Sequence, residues 1–268
     1  MKILSLNINS IRARIESFME LLGRAEYDVI CVQELKAQDA DFPHNLFDST
    51  GYNIKVYGQK SYNGVAVFSK FSIEDVVRGM PGYADPNARF MECVIDGRIR
   101  LINVYMPNGE AEDSPKFPYK IEWMHKFTEY IRAHLHSEEA VIIAGDFNVA
   151  ILDEDIYDPK GFEGSSLTAP AARKIMQSWL DDGWRDEWRF LNPSLQDANG
   201  ADGLARGYTW YNYRGFGDQI KLGRGIRLDY FMTNKAAAKL VKNCYLDMEP
   251  RLAEKPTDHV GLVLEVEG

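Results

Sequence analysis

The chain has 268 residues, 45% hydrophobic and 26% charged, which is enough to bury a sizeable core without staples and too apolar for a disordered segment. Its formal net charge of −9 excludes a protein that coats nucleic acid by bulk charge, while leaving room for a local basic groove. No apolar run approaches a membrane span, and Cys31, Cys93 and Cys244 form neither a Cys-x-x-Cys pair nor a disulfide framework.

Met1 to Asn7 alternates at strand period and passes at once into polar residues, without a signal-peptide apolar region. A reducing cytoplasm and no membrane are therefore expected. Ile11, Ile15, Phe18, Met19 and Leu22 recur at helical spacing, and Asp28 to Val32 is an apolar run that ends in Gln33-Glu34. Strands are predicted at 53–57, 64–69, 89–95 and 99–105, joined by short polar links that suggest antiparallel meander pieces. A second helix carries Ile121, Met124, Phe127, Ile131 and Leu135, and the apolar run Ala140 to Ala144 leads into Gly145-Asp146-Phe147-Asn148. Asp153 to Thr168 and Asn192 to Gly207 are polar and Gly-rich enough for long surface loops. Leu228-Asp229-Tyr230-Phe231 follows, then Thr257-Asp258-His259 before a last strand, Leu262 to Val266. The pattern predicts an α/β chain forming one domain over 1–268, with two stacked sheets flanked by helices.

Four acidic signatures thus stand at the ends of apolar runs. A buried strand holds its backbone rigidly, so a carboxylate, amide or imidazole at its tip is aimed with little freedom. Several such tips converging would suit a metal-dependent hydrolase of phosphate esters. Gly145 permits close approach or an unusual turn, and Asp146 and Asn148, two apart, face the same side of an extended segment. Each signature also has a plain alternative. Asp146 and Asn148 are common turn residues, Glu34 has Lys36 as a surface partner, and Asp258-His259 is compatible with a helix cap.

Asn7, Val32-Gln33-Glu34-Leu35-Lys36, Arg89, Val104-Tyr105-Met106-Pro107-Asn108-Gly109, Gly145-Asp146-Phe147-Asn148-Val149-Ala150, Tyr208-Thr209-Trp210, Arg227-Leu228-Asp229-Tyr230 and Thr257-Asp258-His259 occur in that order. In this ordered set the chain resembles the exonuclease III family of abasic-site DNA repair endonucleases, from residue 1 to about 266. The resemblance implies a four-layered α/β sandwich of the endonuclease/exonuclease/phosphatase superfamily with Mg²⁺ at its top. It also implies cleavage 5′ to an abasic site in duplex DNA to leave a 3′-hydroxyl, with 3′-phosphatase, 3′-phosphodiesterase and variable 3′→5′ exonuclease activity on blocked ends. A monomer is the default for a protein that scans duplex DNA.

Phosphodiester hydrolysis needs an activated water, neutralised phosphoryl oxygens and help for the departing oxygen. Glu34 suits a hard cation, with Asn7 as a neutral oxygen or orienting amide and Asp258 as a further ligand; Mn²⁺ should replace Mg²⁺. Asp146 is the expected general base, Asn148 a donor to a nonbridging oxygen, and His259 a phosphate contact oriented by Asp229. Tyr105, Asn108 and Arg89 match family positions near the phosphates. Without the resemblance, Tyr105 reads as a strand end and Arg89 as a surface ion-pair partner.

Between Arg206 and Arg227, five cations (Arg206, Arg214, Lys221, Arg224, Arg227) face one acid, Asp218, a net of +4. Tyr208, Trp210, Tyr211, Tyr213 and Phe216 interleave with them, a composition suited to phosphates and unstacked bases, or to aromatics packed beneath a loop. The resemblance implies that Trp210, Ile226 and Leu228 form a pocket for a flipped abasic deoxyribose. Ile226 departs from the bulkier aromatic of some relatives, so the tightness of that pocket, and the endonuclease-to-exonuclease balance, stay open. Lys116, Lys160 and Arg173 are further candidates for backbone contact. Two rivals remain: a phosphoesterase of the same superfamily acting on phosphoinositides or sphingolipids, and a non-catalytic DNA-binding or scaffold protein.

Overall fold

The computed structural model describes residues 1–24, 26–193, 206–213 and 216–267, with side chains from 219 onward in the last stretch. The expected loop at 192–207 and the basic-aromatic residues Arg214 and Phe216 therefore fall largely outside the described residues.

The first half runs β1 (Lys2–Asn7), α1 (Ile15–Gly23), β2 (Val29–Gln33), α2 (His44–Phe47), β3 (Asn53–Tyr57), β4 (Val65–Ser69), β5 (Ile73–Arg78), β6 (Phe90–Ile95) and β7 (Ile99–Tyr105). It continues with α3 (Phe117–Leu135), β8 (Ala140–Asp146), α4 (Pro170–Asp182), β9 (Arg185–Asp186), α5 (Glu187–Leu191) and α6 (Phe216–Lys221). β10 (Asp229–Thr233), α7 (Lys235–Ala238), β11 (Val241–Asp247), α8 (Glu249–Leu252) and β12 (Gly261–Val266) close the chain.

The strands form two six-stranded sheets, β11-β12-β1-β2-β4-β3 and β5-β6-β7-β8-β10-β9. Pairing is antiparallel except for β1 with β2 and β7 with β8. Period-2 alternation explains how the sheets stack. On β8, Ile142 and Ala144 point between the sheets to meet Cys31, Val65, Val67, Cys93 and Leu101, while Val141 and Ile143 point outward against Trp123, Phe127 and Trp179 of α3 and α4. The outer face of the first sheet, with Leu4, Leu6, Ile30 and Phe68, is covered by Phe18, Leu21, Leu22 and Phe47 of α1 and α2. These are the four layers expected, helix, sheet, sheet and helix.

The strands expected as one run of meander pieces divide between the sheets. β3 pairs with β4 in the first, and β6 with β7 in the second. An unexpected strand, β5, joins β6 at the second sheet's edge; it is half exposed, with a register shift between Glu74 and Val77, so its apolar alternation is diluted.

Candidate active site

Register gathers the strand tips. Tyr105 at the end of β7 stands opposite Asp146 at the end of the parallel β8, and Asp229 at the start of the antiparallel β10 stands opposite Asp146 on the other side. In the facing sheet Asn7 ends β1 beside Gln33, and His259 lies just before β12. Gly145 makes this edge possible. At its φ of +144° a Cβ would fall 1.9 Å from the Val104 carbonyl oxygen, so any side chain would force β7 and β8 apart. Asn9, Glu34, Lys36 and Asn148 all adopt left-handed backbone, with φ of +48°, +53°, +51° and +50°. Such residues cost on the order of 1 kcal/mol or more each, and here they cluster at one edge.

The side chains form a continuous network. Asn7 Nδ2 donates to Glu34 Oε1 (3.0 Å) and to Asp146 Oδ2 (2.9 Å), joining the carboxylates of the two sheets. Its Oδ1 accepts from the backbone N–H of Asn9 (3.0 Å), which fixes the amide orientation and makes Asn7 a donor to both acids. Of the two roles open to Asn7, that geometry suits the orienting amide. Tyr105 donates its hydroxyl to Glu34 Oε1 (2.6 Å), and Lys36 Nζ pairs with Glu34 Oε2 (2.9 Å). The Asn148 N–H donates to Asp146 Oδ1 (2.9 Å), the Asn148 side-chain amide donates to the Met106 carbonyl (2.9 Å), and Asn108 Nδ2 donates to Asn148 Oδ1 (2.9 Å). His259 Nδ1 lies 2.8 Å from Asp229 Oδ2, and its Nε2 lies 3.7 Å from Asp146 Oδ2.

The charges are unequal by design of the packing. Asp146, Asp229 and His259 are 2%, 1% and 3% exposed, so two carboxylates share one imidazole out of water. Burial pushes the Asp146 carboxyl up to about 7; His259 opposes that rise and Asp229 adds to it. Burial alone would strip the His259 proton, but Asp229, through charge and hydrogen bond, and then Asp146 raise it to about 10. Burial and the nearby Glu34 and Asp146 push the Tyr105 phenol well above its usual range, which keeps it a neutral donor. Glu34 resists burial and stays below the usual carboxylate range because Lys36, Asn7 and Tyr105 stabilise its anion.

Among the described residues no group of three or more His, Cys, Asp or Glu side chains is arranged to hold a metal ion. The donor set nevertheless fits a hard cation that keeps most of its waters and needs few protein oxygens. Glu34 Oε2 and Asn9 Oδ1 both converge on one cationic group, the Lys36 ammonium, at 2.9 and 2.5 Å.

Other expected residues take different places. Asp258 accepts from Asn9 Nδ2 (2.9 Å) and from the Trp210 indole (3.0 Å), tying the aromatic segment to the strand tips. Arg89 lies over the Tyr105 ring, 4.9 Å from its centroid, and donates to the Tyr105 carbonyl (3.1 Å), so it buttresses that tyrosine from behind. Ile226 is fully buried and Leu228 is 3% exposed, both packed with Ala150 and Ile156, while Trp210 is half-buried. Lys116 pairs with Glu110 and Arg173 with Asp153, and Lys160 is exposed.

The basic-aromatic reading of 206–227 needs correction. Tyr208 and Tyr211 are fully buried with Val260, and Arg227 is buried between Asp155 and Asp186 at 2.7 Å from each. Composition counts charges without showing their direction. Lys221, Arg224 and Tyr213 remain exposed.

Three site residues were given no role from the sequence. Thr209 Oγ1 accepts from the Leu228 and Asp229 N–H groups (both 3.0 Å), and Thr257 Oγ donates to the Asn7 carbonyl (2.6 Å). Each adjoins a residue already singled out, and that adjacency was the available signal. Asn9, two residues after Asn7, is the third.

Two facing sheets with carboxylates, amides and an Asp–His pair at one edge define a class, and the chain belongs to the Endonuclease/Exonuclease/phosphatase family, matched over residues 4–259. Within that class it groups with the exodeoxyribonuclease III and AP endonuclease branch. It is 30% identical to "Exodeoxyribonuclease III" of Haemophilus influenzae, across 99% of each chain. Among solved structures it superposes on an AP endonuclease from Archaeoglobus fulgidus with a TM-score of 0.91 at 32% identity, covering 100% of both chains. It also superposes on the 3′ phosphatase NExo from Neisseria bound to product DNA hairpin, with a TM-score of 0.90 at 35% identity and 100% of both chains covered.

Proposed function

We propose that this chain is a Mg²⁺-dependent DNA repair nuclease that cuts duplex DNA 5′ to abasic sites to leave a 3′-hydroxyl. It further clears blocked 3′ ends as a 3′-phosphatase, 3′-phosphodiesterase and 3′→5′ exonuclease. The carrying observation is the convergence of Glu34, Tyr105, Asp146, Asn148, Asp229 and His259, distant in sequence, at one edge through hydrogen bonds and the His259–Asp146 ion contact. The named relatives support DNA as the substrate. Three buried, unpaired cysteines suit a reducing cytoplasm, no helix among the described residues is long and apolar enough to cross a membrane, and a monomer is sufficient for the site.

Glu34 would hold the ion, with Asn9 and Asp258 facing the same space and Mn²⁺ able to replace Mg²⁺. Bound there, the ion supplies positive charge against the phosphoryl oxygens. Asp146, ionised above about pH 7, takes a proton from the attacking water. The water oxygen bonds to phosphorus as the bond to the 3′ oxygen breaks, and that oxygen leaves as a hydroxyl after taking a proton from solvent. His259 keeps Nδ1–H on Asp229, so its Nε2–H is the donor to a phosphoryl oxygen. The second N–H of the Asn148 amide and the exposed Asn108 amide add neutral donors to the developing charge.

A second reading, in which processing of 3′ ends dominates over abasic cleavage, is favoured by one observation. Ile226 and Leu228 are buried within an apolar cluster, which leaves the half-buried Trp210 as the accessible part of the expected sugar pocket. A nicking assay separates the two. With Mg²⁺ the protein should nick a duplex bearing one tetrahydrofuran abasic analogue, and EDTA should abolish the nicking. Release of 3′-phosphate without nicking would select the second reading, and cleavage of inositol phosphates alone would reject both.

A further inference from the structure

Lys120 on α3 has no solvent exposure and takes no part in the chemistry above. Buried lysines are rare unless paired with an acid. The Lys120 Nζ reaches three backbone carbonyls, of Asn108 (3.0 Å), Asn148 (2.7 Å) and Ser166 (2.9 Å). Burial pushes the Lys120 ammonium down to about 7, with Asp146 opposing that fall; three carbonyl acceptors use all three ammonium hydrogens, so the charged form is the one the hydrogen bonds fit.

Those carbonyls belong to three separate segments, following β7, following β8, and in the loop before α4. Gly109 closes directly over the lysine stem, where a Cβ would stand 2.8 Å from Lys120 Cδ. Ser166 Oγ donates to the same Asn108 carbonyl (2.5 Å). Asn148 is in left-handed backbone, and its carbonyl direction is set by this anchor. Two of the three segments that meet at Lys120 therefore carry the Asn108–Asn148 amide pair.

We propose that Lys120 is a positioning residue: its ammonium fixes the backbones of Asn108 and Asn148 so that their paired amides keep one N–H each for the phosphate. This rests on the phosphate grip assigned to that pair in the proposed function. The role belongs to geometry, so it predicts a loss in turnover that vanishes when the pair is already broken.

The test is a double-mutant cycle of Lys120→Met and Asn148→Ala on Mg²⁺-dependent cleavage of DNA carrying a 3′-phosphate or an abasic analogue, with thermal unfolding measured for every variant. Lys120→Met should lower kcat on the order of 10²-fold, the scale of a small misplacement, with KM within about threefold. In the Asn148→Ala background it should cost at most about threefold more, because the two act as a unit. A full second 10²-fold loss there, or an unchanged kcat in Lys120→Met, overturns the proposal while leaving the proposed function intact. Asn148→Ala at the wild-type rate would instead remove the phosphate grip itself. Should the methionine variant not fold, Lys120→Arg, which keeps the charge but alters the spacing to the carbonyls, carries the same cycle with the same two outcomes.

Discussion

Two buried clusters flank the start of β10, and their charges are matched in one and mismatched in the other. Arg227, two residues before Asp229, is enclosed by Asp155 and Asp186 at 2.7 Å each, with Arg189 also donating to Asp155 and the Tyr230 ring 4.4 Å from the guanidinium. Asp155 consequently sits below the usual carboxylate range despite full burial, because Arg227 and Arg189 outweigh desolvation. On the other side Asp146 and Asp229 share His259, and Asp146 is driven up to about 7. The first arrangement pairs its charges and ties Arg227, just before β10, to Asp155 and to Asp186 of β9. The second leaves excess negative charge in a dry place, which is the condition for a base that works near neutrality. Burial is common to both; the count of partners decides which cluster is inert.

Breaking the matched cluster should show the largest effect on stability. Arg227→Met leaves two buried acids short of a partner and should destabilise the fold by about 3–5 kcal/mol, read from the denaturant midpoint. A loss near zero would mean that the network is solvated and the contrast false.

The mismatched cluster should show itself in the pH dependence of cleavage. Asp146 accepts a proton only when ionised and its pKa is raised, so activity should rise with pH through about 7. It should fall again as His259 loses its proton near 10. A rate already flat from pH 5 would contradict the environment assigned to Asp146.

The smallest expected effect lies at the joint between the clusters. Thr209→Val keeps the shape but leaves the Leu228 and Asp229 N–H groups without their acceptor, at about 1–3 kcal/mol of stability. Activity should drop about tenfold through misdirection of Asp229, equivalent to about 1.4 kcal/mol. Equal activity at reduced stability would make Thr209 purely structural and sharpen the boundary between the two regions.

The same contrast explains what could be read from the sequence. Glu34, Asp146, Asp229 and His259 were legible because each ends or begins a buried strand, and register then sets their direction. Tyr105 opposite Asp146 opposite Asp229 is a consequence of strand pairing, a parallel and an antiparallel register that the apolar runs did not specify. Arg227 was misread because its sequence neighbours are basic and aromatic, while its partners Asp155 and Asp186 are 72 and 41 residues away. β5 was missed because a half-exposed edge strand needs little apolar alternation. Lys120 gave no signal at all: a lysine in an amphipathic helix normally faces water, and only the loops closing over it turn it inward.

The central claim is that the mismatched edge cleaves phosphodiesters with Asp146 as its base. Single-turnover nicking of a tetrahydrofuran-containing duplex with Mg²⁺, by the wild type and by Asp146→Asn, tests it most directly. The account predicts a loss of at least about 10²-fold in the variant with binding of the abasic duplex retained. A variant that nicks at nearly the wild-type rate would contradict it.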